Sequence, residues 1–206
     1  KLPNGLQVLV LQKRELPLVV FGLLLPAGGV TDPQERPGLA NLTASMLSEG
    51  TKSRTSQQIT DEFEFMGSQL GISTSHELVF ISADPLTKFW PKALEMLADV
   101  TQNPTFPETE LERIRKERLT NLSRIKDEPT AIAGRVTPLL LYGKGTPYGH
   151  PGTGTEESIG AITREELLTH FNDHYGPQGA TLVVVGDVTL EEVLSAFASK
   201  ITCNLE

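Results

Sequence analysis

His170 and His174 stand four residues apart, a spacing that lets two imidazoles on one helix face share a metal ion. Asp173 sits just before the second histidine, where an inverted zinc motif carries Glu. Nothing in the sequence places a third ligand beside them, so the pair reads first as a half-exposed helix end. His76 falls in a tight turn and His150 in a glycine-rich stretch, both positions for structural or solvated side chains. Ser45 has no His or Lys set beside it by spacing, as an activated nucleophile would need. The glycine-rich stretch lacks the G-x-x-x-x-G-K-[ST] pattern and a preceding strand, so it is not read as a phosphate cradle. Cys203 is the one cysteine, which excludes an intrachain disulfide and a cysteine-based zinc site.

The 206 residues are 38% hydrophobic and 21% charged, enough for a sizeable core. Net charge is −8, and the densest basic stretch, Arg113 to Arg118, is interleaved with Glu117. Nucleic acid is therefore not an expected partner. The run from Glu108 to Arg118 reads as a solvated helix face, with Glu112 and Lys116 a favourable pair at i,i+4. The longest apolar run, Leu16 to Leu25, is broken by Pro17 and Gly22 and is far short of the roughly 20 residues of a membrane span. The chain begins at Lys1 and closes on Leu205-Glu206, which together suggest a piece of a longer protein ending in a cloning remnant at 205-206.

Leu6–Gln12 and Leu18–Leu25 are Val- and Leu-rich and read as paired strands. Gly38 to Glu49 reads as a helix closed by Gly50, and Ser56 to Met66 as a second closed by Gly67. Gln69–Thr74 and Glu77–Ala83 form a hairpin around Ser75-His76. Helices follow from Phe89 to Thr101, from Glu108 to Lys126 and from Pro129 to about Tyr142, the last with a kink expected at Pro138. Gly143 to Ser158, with five glycines and two prolines, reads as loop. Thr163 opens a helix with Glu166 completing a capping box, Ala180–Val185 is a buried strand, and Thr189 with Glu192 opens the last helix. Strands and helices come in blocks, which predicts an α+β fold with a mostly antiparallel sheet and helices mainly on one face.

One segment carries a family resemblance. Arg36-Pro-Gly-Leu-Ala-Asn-Leu-Thr-Ala-Ser-Met-Leu-Ser-Glu-Gly-Thr51 is similar to the stretch of pitrilysin/insulinase-type zinc peptidases in which Gly-Leu-Ala runs into H-x-x-E-H. Two histidines at i and i+4 would bind zinc there, and the glutamate would take a proton from the metal-bound water. Flanking matches run along nearly the whole chain: Leu2-Pro-Asn-Gly-Leu-Gln-Val-Leu, Gly50-Thr-Lys-Ser-Arg-Thr-Ser, Pro147-Tyr-Gly-His-Pro-Gly-Thr-Gly, and His174-Tyr-Gly-Pro before Thr181-Leu-Val-Val-Val-Gly-Asp.

The resemblance puts Asn41 and Ser45 at the two histidine positions, Ala44 at the glutamate and Asn121 at the third ligand. None of these is a good zinc ligand, and Ala44 cannot be a base. Asn121 should share an inward helix face with Ile114 and Ile125. Asn41-Leu-Thr and Asn121-Leu-Ser also match the glycosylation sequon, but inward-facing asparagines would not carry glycans. The resemblance further implies a lobe of about six strands, one of them not visible in the residues, spanning 1-204. It implies zinc in active relatives but no cofactor in this lobe. The expected role is a non-catalytic lobe of a zinc metalloendopeptidase that scaffolds a peptide chamber or holds substrate. Its partners would be a second peptidase-like lobe, on the same chain or another subunit, and an extended peptide. The alternatives are a structural assembly subunit like the core proteins of respiratory complex III, or an active peptidase with a metal at His170 and His174. Bacterial relatives are often exported, which leans toward the periplasm.

Overall fold

The computed structural model describes residues 1–200, with side chains described to residue 196; Cys203 and Leu205-Glu206 lie outside the described residues. Five strands, Gln7–Gln12 (β1), Val19–Leu25 (β2), Gly71–Thr74 (β3), Val79–Ala83 (β4) and Thr181–Gly186 (β5), form one sheet in the order β1-β5-β2-β4-β3. The fold is α+β, but the sheet is mixed. β1 runs parallel to β5, and the other neighbouring pairs are antiparallel. The expected sixth strand is not among the described residues, and β1 does not pair with β2. β5 lies between them, in register with Gln7–Gln12 on one side and Val19–Leu24 on the other. β5 carries the unbroken apolar run Leu182 to Val185, which suits a strand paired at both edges. The hairpin β3–β4 pairs as expected, with the Ser75 N–H donating to the Leu78 carbonyl at 2.8 Å across the turn.

The two faces of the sheet differ sharply. Phe21, Leu23 and Leu25 of β2 stand beside Val184 and Leu182 of β5 and Ala83, Ile81 and Val79 of β4, and all are buried. One residue out of phase, Leu9, Leu11, Val20 and Phe80 are exposed. Alternation with period two thus separates a covered face from an open, largely apolar one.

Eight α-helices, with four short 3-10 helices among the connections, complete the described residues: Leu39–Met46 (α1), Ser56–Phe65 (α2), Trp90–Gln102 (α3), Glu108–Ile125 (α4), Pro129–Tyr142 (α5), Glu156–Ala161 (α6), Arg164–His174 (α7) and Leu190–Lys200 (α8). Pro91 falls in the first turn of α3, where it breaks no bond, and α5 runs through Pro138. The capping boxes at Thr163–Glu166 and Thr189–Glu192 form as the sequence predicts. α6 was not legible as a helix: Thr155 caps it through Ser158, inside the stretch read as loop, and six residues are too few to show a period.

The charged helix α4 is less solvated than its composition suggests. Glu112 pairs with Arg115 at 3.0 Å rather than with Lys116. The Arg115 side chain is only 12% exposed and donates to the backbone carbonyls of Ile159 and Ile162, tying α4 to α6. Arg113 meets Glu49, Glu110 and Glu117. A second hub stands at Arg54, which meets Asp99 at 2.7 Å and Glu62 at 3.0 Å.

The unequal faces give a test by urea unfolding. Leu182→Ala, on the covered face, should cost about 2–5 kcal/mol. Leu9→Ala, on the open face, should stay within about 0.5 kcal/mol of wild type. Equal losses would mean that both faces are covered.

Candidate functional site

α1 carries Asn41, Ala44 and Ser45, and it is held at its start and along one side. Its N-terminal residue, Gly38, has no side chain to cap the free N–H groups of the first turn. Asp32 does this from the preceding loop: Oδ2 accepts from the Gly38 N–H and Oδ1 from the Ala40 N–H, both at 2.6 Å. An anion at a helix N-terminus is favoured by the aligned peptide dipoles. Burial nevertheless pushes the Asp32 carboxyl up to about 6, against the pull of those two backbone bonds and of His76. Gly38 has φ 92°, and a Cβ there would meet the Gly154 backbone at 2.7 Å, so the glycine-rich stretch packs directly on the start of α1.

Along the side of α1, Arg118 of α4 reaches across. Nη1 donates to Asn41 Oδ1, and Nη2 donates to Ser45 Oγ and, at 3.4 Å, to the Asn41 carbonyl. Ser45 Oγ donates in turn to the Asn41 carbonyl at 2.9 Å, so the hydroxyl gives one bond and receives one. Burial pulls the Arg118 guanidinium below its ordinary value. No carboxylate among the described residues lies within ion-pair distance of it. Ala44, on the same helix, is 1% exposed and belongs to the apolar core. Asn121 is exposed, which corrects the expected inward orientation and removes burial as a reason against a glycan there. Of the four positions singled out on α1 and α4, the structure joins Asn41 and Ser45, through a residue not singled out.

Arg118 was hidden because its neighbours in sequence are charged and the run looked like a solvent face. The available signal was spacing. Arg118 lies seven residues after Leu111 and four before Leu122, both buried, and so belongs to the inner side of α4.

The histidine pair is arranged differently from a metal site. The His170 and His174 rings are 4.7 Å apart between centroids. His170 is buried rather than half-exposed, and its Nε2 meets Thr31 Oγ1 at 2.8 Å. Burial holds its imidazole down at about 4, with the nearby His174 adding to the effect. Among the described residues, no group of three or more His, Cys, Asp and Glu could hold a metal ion. His76 stacks on Tyr148, and the Tyr175 hydroxyl is buried beside this cluster without a partner. Burial and the charge of Asp32 both push that phenol upward.

Chemically, the α1–α4 seam is a fixed cation resting on neutral oxygens, the reverse of a site in which ligand atoms surround a metal. No helix among the described residues is long and apolar enough to cross a membrane.

Comparison with known proteins follows this architecture. The family model described as insulinase (peptidase family M16) matches residues 7–140, and the model described as peptidase M16 inactive domain matches residues 161–201. An uncharacterized zinc protease of Rickettsia felis is 29% identical over 95% of this chain and 47% of its own length. The mitochondrial-processing peptidase subunit beta of Bos taurus is 30% identical over 94% of this chain and 39% of its own length. The crystal structure of a peptidase M16 inactive domain from Pseudomonas fluorescens superposes with a TM-score of 0.90 at 30% identity, over 96% of this chain and 48% of that one. The chain thus spans less than half the length of these relatives.

His170 and Asp32 titrate with opposite consequences for folding. The unfolded chain protonates His170 near 6.5 and the folded chain near 4, so this residue withdraws stability as pH falls through that window. Asp32 keeps its proton in the folded chain up to about 6, whereas the unfolded carboxyl loses it near 3.8, so this residue adds stability as pH falls through that window. Relative to wild type, His170→Gln should therefore gain stability as pH is lowered from about 6.5 to about 4, and Asp32→Asn should lose it over about 6 to 4. Urea midpoints across that range measure both. Curves parallel to wild type would show that the two groups are solvated.

Proposed function

The chain belongs to the insulinase family of peptidases, M16, and from that premise we propose that it is a non-catalytic lobe of such a peptidase, one that scaffolds the peptide chamber or holds substrate for an active lobe. The lobe occupies residues 1-204. The observation that carries the reading is the seat of Arg118 on Asn41 and Ser45. In active members, histidines at those two positions hold zinc, a glutamate at position 44 takes the proton from water, and a further ligand stands at position 121. Zinc does not fit the residues present here. An amide oxygen and a hydroxyl are weak donors for it, and a guanidinium already bonded to both would repel a divalent cation. Ala44 offers no base. Holding and scaffolding require none of these groups.

Two surfaces support a partner. α5 has no buried residue, yet Leu140 is 79% and Leu141 72% exposed, with Tyr142, Ile132 and Val136 also open. The open face of the sheet adds Leu9, Leu11, Val20 and Phe80. Contiguous apolar surface of this kind marks an interaction site. A second lobe, of which the relatives' greater length leaves room for one, is the natural cover. An extended peptide could pair along the β1 or β3 edge, where backbone groups are free to bond a strand of nearly any sequence.

The purified chain should retain no stoichiometric zinc after dialysis and make no chelator-sensitive cuts in a mixed peptide library. Co-expressed with the other lobe of its parent protein or partner subunit, it should form a stable complex that binds an extended peptide more tightly than the lone chain does. One zinc per chain, lost on His170→Ala, would instead establish a different metal site. Indifference to both the second lobe and peptides would favour a purely structural assembly role. Substituting Asn41→His, Ala44→Glu, Ser45→His and Asn121→Glu together should restore zinc affinity only when Arg118→Ala is added. Zinc binding that returns with Arg118 in place would show that the guanidinium does not occupy the metal position.

A further inference from the structure

β1 is an edge strand whose outer bonding groups are open. The Gln7 N–H donates to the Ala180 carbonyl at 3.0 Å and the Lys13 N–H to the Gly186 carbonyl at 2.7 Å. In a parallel pair, alternate residues of a strand address the neighbour. Gln7, Leu9, Leu11 and Lys13 therefore bond to β5, and the N–H and C=O groups of Val8, Val10 and Gln12 point off the sheet. No strand among the described residues pairs with that side. Only its start is closed, where Leu6 bonds to Leu2 and Asn4 through its carbonyl and N–H.

Exposed edges are normally guarded by charge, proline, a bulge or shortness. β1 has none of these: Gln7–Gln12 reads QVLVLQ and runs in unbroken register with β5 over its full length. Leu9 and Leu11 are 47% and 58% exposed beside it. The opposite edge, β3, is guarded by its length of 4 residues and begins on Gly71. A chain with one unguarded edge closes that edge by pairing once about a two-fold, whereas two such edges would propagate into a filament.

We propose that β1 pairs antiparallel with β1 of a second copy of this chain, joining two five-stranded sheets into one. The strand is self-complementary. Opposed residues must lie on the same face of the sheet, so the two-fold passes through a residue and not between two. With the axis at Val10, all three outward residues are engaged: Val10 faces Val10, and Val8 faces Gln12 on either side. On the open face each Leu9 then meets Leu11 of the other copy. The two Lys13 side chains stand at opposite ends of the pairing, about 20 Å apart by strand rise and beyond the screening length. Arg14 turns away from the edge toward Asp187, at 3.5 Å. This inference goes beyond the scaffold-and-hold reading and leaves β3 and α5 to the peptide and the second lobe of that reading.

The test is sedimentation of the 206-residue chain over a range of concentrations. Its mass should double as concentration rises. Leu9→Lys with Leu11→Lys in one chain puts like charges opposite each other in both pairs, and Leu9→Glu with Leu11→Glu does the same with the other sign. Each variant should stay a single chain, and an equal mixture of the two should regain the doubled mass. All four substitutions fall on exposed side chains, so the fold is not at stake. Hydrogen exchange read by NMR separates edge pairing from packing of the open faces: the amides of Val8, Val10 and Gln12 should slow as the dimer forms. A wild-type chain that stays single at every concentration overturns the proposal. So does a mixture that fails to pair, or a dimer in which those three amides exchange as fast as in the single chain.

Discussion

A guanidinium taken partly out of water must be met by oxygen, and that requirement ties α4 to α1. Neutral partners can satisfy its hydrogen bonds but not its charge, so the geometry has to be good for the burial to be tolerated. Asn41 and Ser45 provide it because i and i+4 bring their oxygens to one side of a helix. The same helix is fixed at its start by Asp32, whose carboxylate replaces the cap that Gly38 cannot give. With one end capped and one flank bonded, α1 has little freedom to rotate over the sheet. Its remaining face, through Leu39, Leu42 and Met46, is then committed to the core.

What could be read from the sequence divides along physical lines. Local signals were legible. The Thr163–Glu166 and Thr189–Glu192 boxes, the Gly50 and Gly67 helix ends and the β3–β4 hairpin each depend on residues a few positions apart. Nonlocal pairing was not. β1 and β2 are adjacent in sequence, and nothing in either says that a strand from the far end of the chain inserts between them. The site shows the same split. The helix bearing Asn41, Ala44 and Ser45 was visible through its motif frame, whereas Arg118 and Asp32 act through contacts 73 to 77 and 6 to 8 residues away. Asn121 misled because the neighbouring Ile125 and Ile114 suggested an inward face, while α4 turns Leu122 inward instead.

Arg118 fastens α4 to α1 from within the protein, through the Asn41 and Ser45 oxygens. Arg115 and Arg113 extend the same device along α4, to the Ile159 and Ile162 carbonyls and to Glu49. A helix that reads as a solvated polyampholyte is in fact the strut to which three neighbouring elements are fastened.

The open sheet face follows from the same economy of contacts. With its core helices gathered over Phe21, Leu182 and Ile81, the chain has no element left, among those described, to cover Val20, Leu11 and Phe80. Charges could have made that surface solvent-compatible, since the chain has many to place. They stand instead on helices such as α2, α4 and α7. Apolar residues retained where polar ones would serve a monomer point to a surface that is covered when the protein works. α5, apolar but for Arg135 and two threonines and without a buried side chain, repeats the pattern at a second place. Two such surfaces on one small lobe support the proposal that it works beside a second lobe.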